Sequence, residues 1–410
     1  MFEQALKLVW NRRHANRLVV VEVAAAFVVV FVLLALSLHA WNNYRRPLGF
    51  VYENIWRVEL TTEDRAGGPG VPRQPTRETS DDVLAALRQL PRVEAAHVMT
   101  YAPFVDRSGS RGLGRDESNA IRTYFNVVTA GALEALDVRV VEGRSFGPGD
   151  EAEDYTPVVV NRTFVERAFG ADSAIGRRIN FISTELLSRM PPDVARALNR
   201  ELRVVGIIDD FRQQGEFAET LPYAIILSQP NDESMDLFVK VAPGTDRSFE
   251  AQIVATVEAI APAWRATVTP WEELRATAHR QTLLPLRIGA TLGAFLLAMV
   301  VLGLIGIVWQ DVVRRTQEIG LRRAAGASAA RVRRLLVLEM LVVGLFGIAV
   351  GMVVAVQFPL LELVAQIDWA SAAPALVLSA VVILVLASLA AFYPAWLASR
   401  REPADALRYE

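Results

Sequence analysis

Four stretches of this chain are long and apolar enough to cross a lipid bilayer, and no other feature of the sequence limits its fold as much. A hydrocarbon core of roughly 30 Å needs about 20 apolar residues in a helix rising 1.5 Å per residue. Leu18 to Ala40 meets that requirement, broken only by Glu22, and Ile288 to Trp309 meets it with no charge. Leu335 to about Leu361 follows, with Glu339 near its start, then Ala370 to Ala398, uncharged, with Pro374 and Pro394 near its ends. Lys7, Arg12, Arg13 and Arg17 precede the first run as the basic region of a signal peptide would. The run exceeds the usual apolar length of about 7 to 15 residues, and no small-x-small cleavage site closely follows it, so it is expected to remain as a span.

Basic residues in short flanks are retained on the cytoplasmic side. Between the second and third runs lie Arg314, Arg315, Arg322, Arg323, Arg331, Arg333 and Arg334 against Asp311 and Glu318. The connection from the third run to the fourth has Glu362 and Asp368 and no basic residue, while the tail carries Arg400, Arg401 and Arg408. The expected layout is therefore a cytoplasmic 1–17, a span at 18–40, an extracytoplasmic 41–285, a span at 286–309 and a cytoplasmic loop at 310–334. A span at 335–361, an extracytoplasmic 362–369, a span at 370–398 and a cytoplasmic 399–410 complete it. Glu22 and Glu339 each lie five residues inside a basic flank, where snorkelling or pairing with arginine accounts for them. A proton relay would need acids at the midplane, and the second and fourth runs have none.

The chain has 410 residues, 52% of them hydrophobic, and a mean hydropathy of +0.27, values that fit spans combined with an aqueous domain. A net charge of -2 gives no reason to expect nucleic acid as a partner. With no cysteine there is no disulfide, no thiolate zinc site and no thiol nucleophile, so the large domain must be held by its own core.

That domain reads as α+β. Strands are expected at Val51 to Leu60, Val93 to Tyr101, Pro157 to Asn161, Arg203 to Ile208, Ala224 to Leu227, Asp236 to Val241 and Ala266 to Thr269. Helices are expected at Ser80 to Leu90 with Ser80 as N-cap, Arg162 to Phe169, Ser248 to Ile260 and Trp271 to Gln281. Thr62 to Thr76 and Asp106 to Glu117 are too rich in Gly and Pro for regular structure and read as loops. The Pro191-Pro192 pair within Ser183 to Arg200 marks an inserted helical or lid-like element, and two lobes are expected to meet near residues 120 to 235. The histidines are His14, His39, His97 and His279, and neither a His-Glu-x-x-His nor a Gly-x-Ser-x-Gly arrangement occurs. His97 sits in a strand pattern as a structural histidine, and Asp209-Asp210 reads as a polar turn at a strand end.

Gln317-Glu318-Ile319-Gly320-Leu321-Arg322-Arg323-Ala324-Ala325-Gly326-Ala327-Ser328, with Leu335 to Gly347 after it, resembles the cytoplasmic loop and third span of FtsX-like permeases. Tyr393-Pro394-Ala395-Trp396-Leu397-Ala398-Ser399-Arg400 and Pro403-Ala404-Asp405-Ala406-Leu407-Arg408-Tyr409-Glu410 resemble the end of the same domain. In the outer segment Tyr124-Phe125, Glu142-Gly143-Arg144, Val158 to Asn161, Ile175-Gly176-Arg177 and Val204 to Phe211 look like the periplasmic core domain of MacB-type transporters. The resemblance covers nearly the whole chain.

It implies a permease dimer, from two copies or a sister chain, in which each subunit grips a cytoplasmic ATPase through a short coupling helix. Here that helix covers Glu318, Ile319, Gly320, Arg322, Arg323, Gly326 and Ala327, where Val312, Val313 and Ile319 alternate with arginines as an amphipathic segment does. The alternative is a loop whose arginines only fix topology. Gly289 with Gly293, and Gly347 with Gly351, have the small-xxx-small spacing that suits helix association in a dimer. The sequence departs from MacB in having no Gly-x-x-x-x-Gly-Lys-Ser/Thr loop, so ATP and Mg are expected on a separate ATPase subunit and no cofactor on this chain. It departs from cell-division FtsX proteins in its larger outer domain.

The expected function is the permease subunit of an ABC-type exporter in the bacterial inner membrane. A membrane-fusion adaptor and an outer-membrane channel are further partners by analogy. The rival is a non-transporting mechanotransmitter that activates an extracytoplasmic hydrolase or sensor. A membrane-anchored enzyme lacks a catalytic constellation.

Overall fold

The computed structural model describes residues 13–61, 77–116, 118–147, 149–180, 201–229, 236–314, 321 and 327–400. In chain order the elements begin with α1 (Arg13–Tyr44), β1 (Ile55–Thr61), α2 (Arg77–Leu87), β2 (Val93–Val98), β3 (Gly109–Leu113), β4 (Ile121–Val128) and the short α3 (Ala132–Ala135). Then come β5 (Val140–Gly143), β6 (Thr156–Asn161), α4 (Arg162–Ala168), β7 (Leu202–Ile208), β8 (Tyr223–Leu227), β9 (Asp236–Val241), α5 (Glu250–Ile260) and β10 (Arg265–Pro270). The chain ends in α6 (Trp271–Arg314), α7 (Ala329–Ala355), the single turn α8 (Gln357–Leu360) and α9 (Trp369–Arg400).

The chain divides into two units, Met1–Asn42 with Thr282–Glu410, and Asn43–Gln281. In the first, the four apolar runs form helices long and apolar enough to cross a membrane: α1, α6, α7 running on through α8, and α9. Their shared core holds Phe27 and Phe31 of α1, Val343 and Ile348 of α7, and Ile383 and Ala387 of α9. Small residues allow this approach. A side chain at Gly347 would meet the Val20 carbonyl at 3.1 Å, and one at Gly351 would meet the Ala24 carbonyl at 2.9 Å. Without a hydrophobic drive between helices in lipid, such close backbone packing supplies the association.

In the second unit two sheets share one domain. Sheet one has the order β10-β1-β9-β2 and is antiparallel throughout. With α2 between β1 and β2 and α5 between β9 and β10, this is the βαββαβ plan of ferredoxin-like domains. The second sheet, β3-β4-β8-β6-β7-β5, is mixed and is inserted between the second and third strands of the first. Strand alternation sorts side chains into three cores. Trp56, Val58 and Leu60 meet α2 and α5 through Leu84, Leu87, Ile253 and Val257. Val158, Val160, Ala224 and Ile226 face α4 through Phe164. Ile55, Phe238, Val159, Ile225 and Leu227 turn the other way and join Trp271 and Phe50 between the sheets.

The structure corrects several sequence-based expectations. The stretch expected as a loop at Asp106 to Glu117 contains β3, which pairs with β4 from Gly109↔Phe125 to Leu113↔Ile121. Ser80 is not an N-cap: α2 begins at Arg77, and Ser80 is buried one turn inside it. The strand expected from Val51 begins at Ile55, because Asn54 takes a positive φ of 59° and breaks extended pairing. The helix expected at Trp271 to Gln281 and the second apolar run form the one helix α6, with Pro285 inside it. The expected loop Thr62 to Thr76 and the inserted element around Pro191-Pro192 lie outside the described residues.

Candidate functional sites

The segment expected to contact an ATPase falls between α6 and α7. Val308 and Val312 of α6, Val332 and Leu336 of α7, and Ala391 and Ala395 of α9 form a small core of their own. Both helices that bracket the loop are thus tied together. Ser328 caps α7, its side chain accepting from the Arg331 backbone N–H at 3.3 Å. Ala327 lies half-buried just before that cap, and Leu321 is helical and 64% exposed. Glu318, Ile319, Gly320, Arg322, Arg323 and Gly326 lie outside the described residues. Val312 and Val313 do not share one face: Val312 is buried and Val313 is 50% exposed, since consecutive helix positions diverge by about 100°.

Val313 belongs to a groove of about 980 Å³ between α1 and α6, lined also by Leu18, Glu22, Gly303, Ile307 and Arg314. A side chain at Gly303 would strike the Glu22 carboxylate at 2.6 Å, so the glycine makes room for the acid. Among the described residues no arginine forms an ion pair with Glu22; its carboxylate opens onto the groove instead.

The glycine pairs, whose spacing permits helix association, are used within the chain. Gly289 and Gly293 of α6 accommodate the Leu33 side chain of α1, and Gly347 and Gly351 of α7 accommodate Val23 and Phe27 of α1. The small surfaces are occupied by α1 before a second copy is considered. By contrast nothing lies within 4 Å of a side chain placed at Gly306.

A third constellation, not anticipated from sequence, gathers inside the Asn43–Gln281 unit around the segment from Arg212 to Ala218. The buried Arg212 guanidinium donates to the backbone carbonyls of Asn43 (2.8 Å), Arg46 (3.0 Å), Glu216 (2.6 Å) and Ala218. The Glu216 carboxylate, 6% exposed, accepts from Arg275 and, at 2.8 Å, pairs with Nε2 of His279. Burial opposes ionisation of Glu216, yet the hydrogen bonds from His279 and Arg275 outweigh it and hold the carboxyl below the usual glutamate range. Phe217 stacks on Tyr44 at 5.5 Å and meets the His279 ring edge-on at 5.0 Å. A sequence signal for this was faint, since Arg212 and Glu216 are ordinary charged residues in a loop and their partners lie far along the chain.

The outer end of α6 is held on its other sides as well. Trp271 is fully buried, with Phe238 and Phe50 at centroid distances of 5.7 and 6.1 Å. Glu272 accepts from the Asn54 backbone N–H at 2.8 Å, Glu273 pairs with Arg247, and Arg275 lies over the Tyr52 ring at 4.7 Å.

His97 is a structural histidine: it is buried, its Nδ1 lies 3.2 Å from the Thr129 hydroxyl, and burial with the nearby Arg88 lowers its pKa to about 4. Asp209 follows β7 at a turn and pairs with Arg162 at 2.8 Å, while Asp210 accepts from Asn161 and Thr220. Among the described residues no cluster of His, Asp and Glu is arranged to hold a metal ion.

The family profile described as a MacB-like periplasmic core domain matches residues 18–256, and that of the FtsX-like permease C-terminal region matches residues 290–403. The pyoverdine export ATP-binding/permease protein PvdT of Pseudomonas putida is 24% identical over 423 aligned residues, covering 100% of this chain and 59% of the relative. The macrolide export ATP-binding/permease protein MacB of Syntrophobacter fumaroxidans is 35% identical over 113 residues, covering 26% of this chain and 15% of the relative. The chain thus spans about three fifths of the length of the PvdT proteins it matches. Among solved structures, the periplasmic region of MacB from Actinobacillus actinomycetemcomitans aligns with a TM-score of 0.37 and 12% identity, covering 56% of this chain and 94% of that one.

Proposed function

This chain belongs to the MacB-like and FtsX-like family of ABC transporter permeases, membrane proteins with an extracytoplasmic domain between the first two spans, and from that premise we propose that it is the permease subunit of an exporter. ATP is bound and hydrolysed with Mg by an ABC ATPase on a partner chain, which docks on the segment Glu318 to Ala327 at the cytoplasmic face of the inner membrane. Glu318 and Arg323 supply charged contacts there, and Gly320 and Gly326 allow a turn or close approach. Movement of that segment is passed outward, and the substrate is expelled on the extracytoplasmic side.

The observation that carries this reading is α6. Its 44 residues run without a break from Trp271, set in the core of the outer domain, to Arg314 at the edge of the coupling segment. That is about twice the roughly 20 residues a hydrocarbon core requires. The chain therefore passes from the outer domain into the second span with no loop between them. The α6 span is also the least buried of the four, and a second permease copy covers Leu292, Phe295, Met299 and Leu302 in the proposed assembly.

Purification of the tagged chain from native membranes, with Glu318→Ala/Arg323→Ala alongside, tests the docking. An ABC ATPase is expected with the wild-type chain and its recovery falls at least tenfold in the double variant. A co-purifying fusion adaptor supports export; a wall hydrolase in its place moves the function to mechanical signalling. Recovery of the ATPase unchanged in the double variant removes the docking assignment.

A further inference from the structure

Arg212 to Ala218 connects β7 to β8, and its ends are fixed. Asn161, the residue that caps α4, donates from Nδ2 to the Leu221 carbonyl at 2.8 Å and accepts from the Tyr223 backbone N–H at 2.9 Å. Tyr223 itself donates to Gln213 at 2.9 Å. The loop is therefore an extension of the six-stranded sheet and not a free excursion from it. From that sheet it reaches two other places at once. Arg212 and Phe217 hold the last residues of α1 and the turn after them, through Asn43, Tyr44 and Arg46. Glu216 holds α6 at Arg275 and His279, two positions one turn apart on the same face. The two helices grasped here, α1 and α6, are those that continue as the first and second spans.

The partners are chosen for stiffness. A guanidinium that donates to four carbonyls cannot be displaced without leaving buried acceptors unpaired. A buried carboxylate bonded to the Arg275 guanidinium and to the His279 ring is likewise held in one place, because separation would strand its charge away from water. Neither interaction depends on long exposed side chains that solvent could replace. Gly215 adds a tight turn with a φ of 93°, bringing Glu216 back toward α6.

We propose that Arg212 and Glu216 are positioning residues of a clasp, which fastens the outer ends of α1 and α6 to the six-stranded sheet so that displacement of α6 reaches that sheet. The inference rests on the permease reading for the source of displacement, but the clasp itself is a property of this domain. Without the clasp, Trp271 still anchors α6 in the core between the sheets, so the domain stays folded while transmission through β7 and β8 is lost.

Hydrogen exchange read by mass spectrometry tests this on the full chain purified with its bound partners and placed in nanodiscs, with and without Mg-ATP. Arg212 is left unaltered, because its loss strands four carbonyls. Glu216→Gln keeps an acceptor and removes the charge. Without nucleotide, exchange in segments 212–218 and 43–50 is expected to rise roughly tenfold in Glu216→Gln, the weight of a charged hydrogen bond. β6 and β7 stay at wild-type protection, and Glu216→Asp restores most of it. With Mg-ATP, the wild-type response extends from the outer part of α6 into β7 and β8, and in Glu216→Gln it stops at α6. Unchanged exchange in 212–218, a rise shared by every strand, or a nucleotide response that reaches β8 without the carboxylate each overturns the clasp. Absence of any nucleotide response in the wild type counts against the permease reading, and the nucleotide-free comparison then decides the clasp by itself.

Discussion

His97 is held in an environment unlike its exposed state, and the departure has a definite sign. Its folded pKa of about 4 lies below the ordinary 6.5, because burial and Arg88 disfavour the imidazolium. Between those values the unfolded chain binds the proton and the folded chain does not, so stability is complete above about pH 6.5 and falls as pH drops toward 4. The full difference is about 3 kcal/mol at 1.36 kcal/mol per unit, to order of magnitude. In the detergent-solubilised chain, the unfolding midpoint of the outer domain followed by tryptophan fluorescence is expected to fall by several degrees from pH 7 to pH 5. His97→Gln should flatten that dependence while lowering the pH 7 midpoint slightly; an unchanged slope would assign it to other groups. A strand pattern with one histidine was enough to place His97 in a core. Ser80 misled for the opposite reason, since a serine before an apolar run signals a cap whether or not Arg77, Glu78 and Thr79 have already begun the turn.

At the scale of elements, legibility followed the purity of the hydrophobic pattern and not its length: β4, the longest strand at eight residues, interleaves Arg122, Thr123 and Asn126 with its apolar positions and was not among the strands expected. β6 to β10 are short apolar runs bounded by turn residues, and their positions could be read to within a residue or two. β3 could not: Gly109-Ser110-Arg111-Gly112-Leu113 has almost no strand propensity and is extended only because β4 offers its unpaired edge. β5 is equally cryptic, an edge strand of four residues paired to β7 across a bulge. In the membrane unit, glycine spacing signalled close packing but not its partner, which depends on which helix arrives from elsewhere in the chain. That partner is α1, and the identification can be tested by steric contrast. Gly347→Leu drives a side chain into the Val20 carbonyl and Val23, which cannot yield without moving α1. The folded monodisperse fraction on size exclusion is expected to drop severalfold, with about 3 kcal/mol or more lost. Gly306→Leu enters open space in the groove and should leave that fraction within about 0.5 kcal/mol of wild type. Equal loss in both would place the sensitivity in lipid contact or insertion instead of α1 packing.

For the whole molecule, the decisive quantity is the sign of charge on each side of the spans. The seven arginines between the second and third spans fix a loop inside, if the positive-inside bias governs insertion, and everything proposed for ATPase docking follows from that placement. The order of one span, a large domain and three spans was plain from hydropathy because a bilayer enforces length on every crossing segment. The clasp was not plain, because it joins residues near 43, 214 and 277 and only the folded domain brings these together. Orientation can be measured directly, since the chain has no cysteine and a single introduced thiol reports its own side of the membrane. Asp154→Cys and Leu363→Cys, both at exposed positions, are expected to react with a membrane-impermeant maleimide in intact spheroplasts. Ser328→Cys, exposed at the cap of α7, should react only after permeabilisation. The reverse pattern would put the arginine loop outside, beyond reach of a cytoplasmic ATPase, and would leave α6 with no source of displacement at its inner end. Labelling of Asp154→Cys and Ser328→Cys from the same side would break the span count itself, because α6 alone separates those two positions.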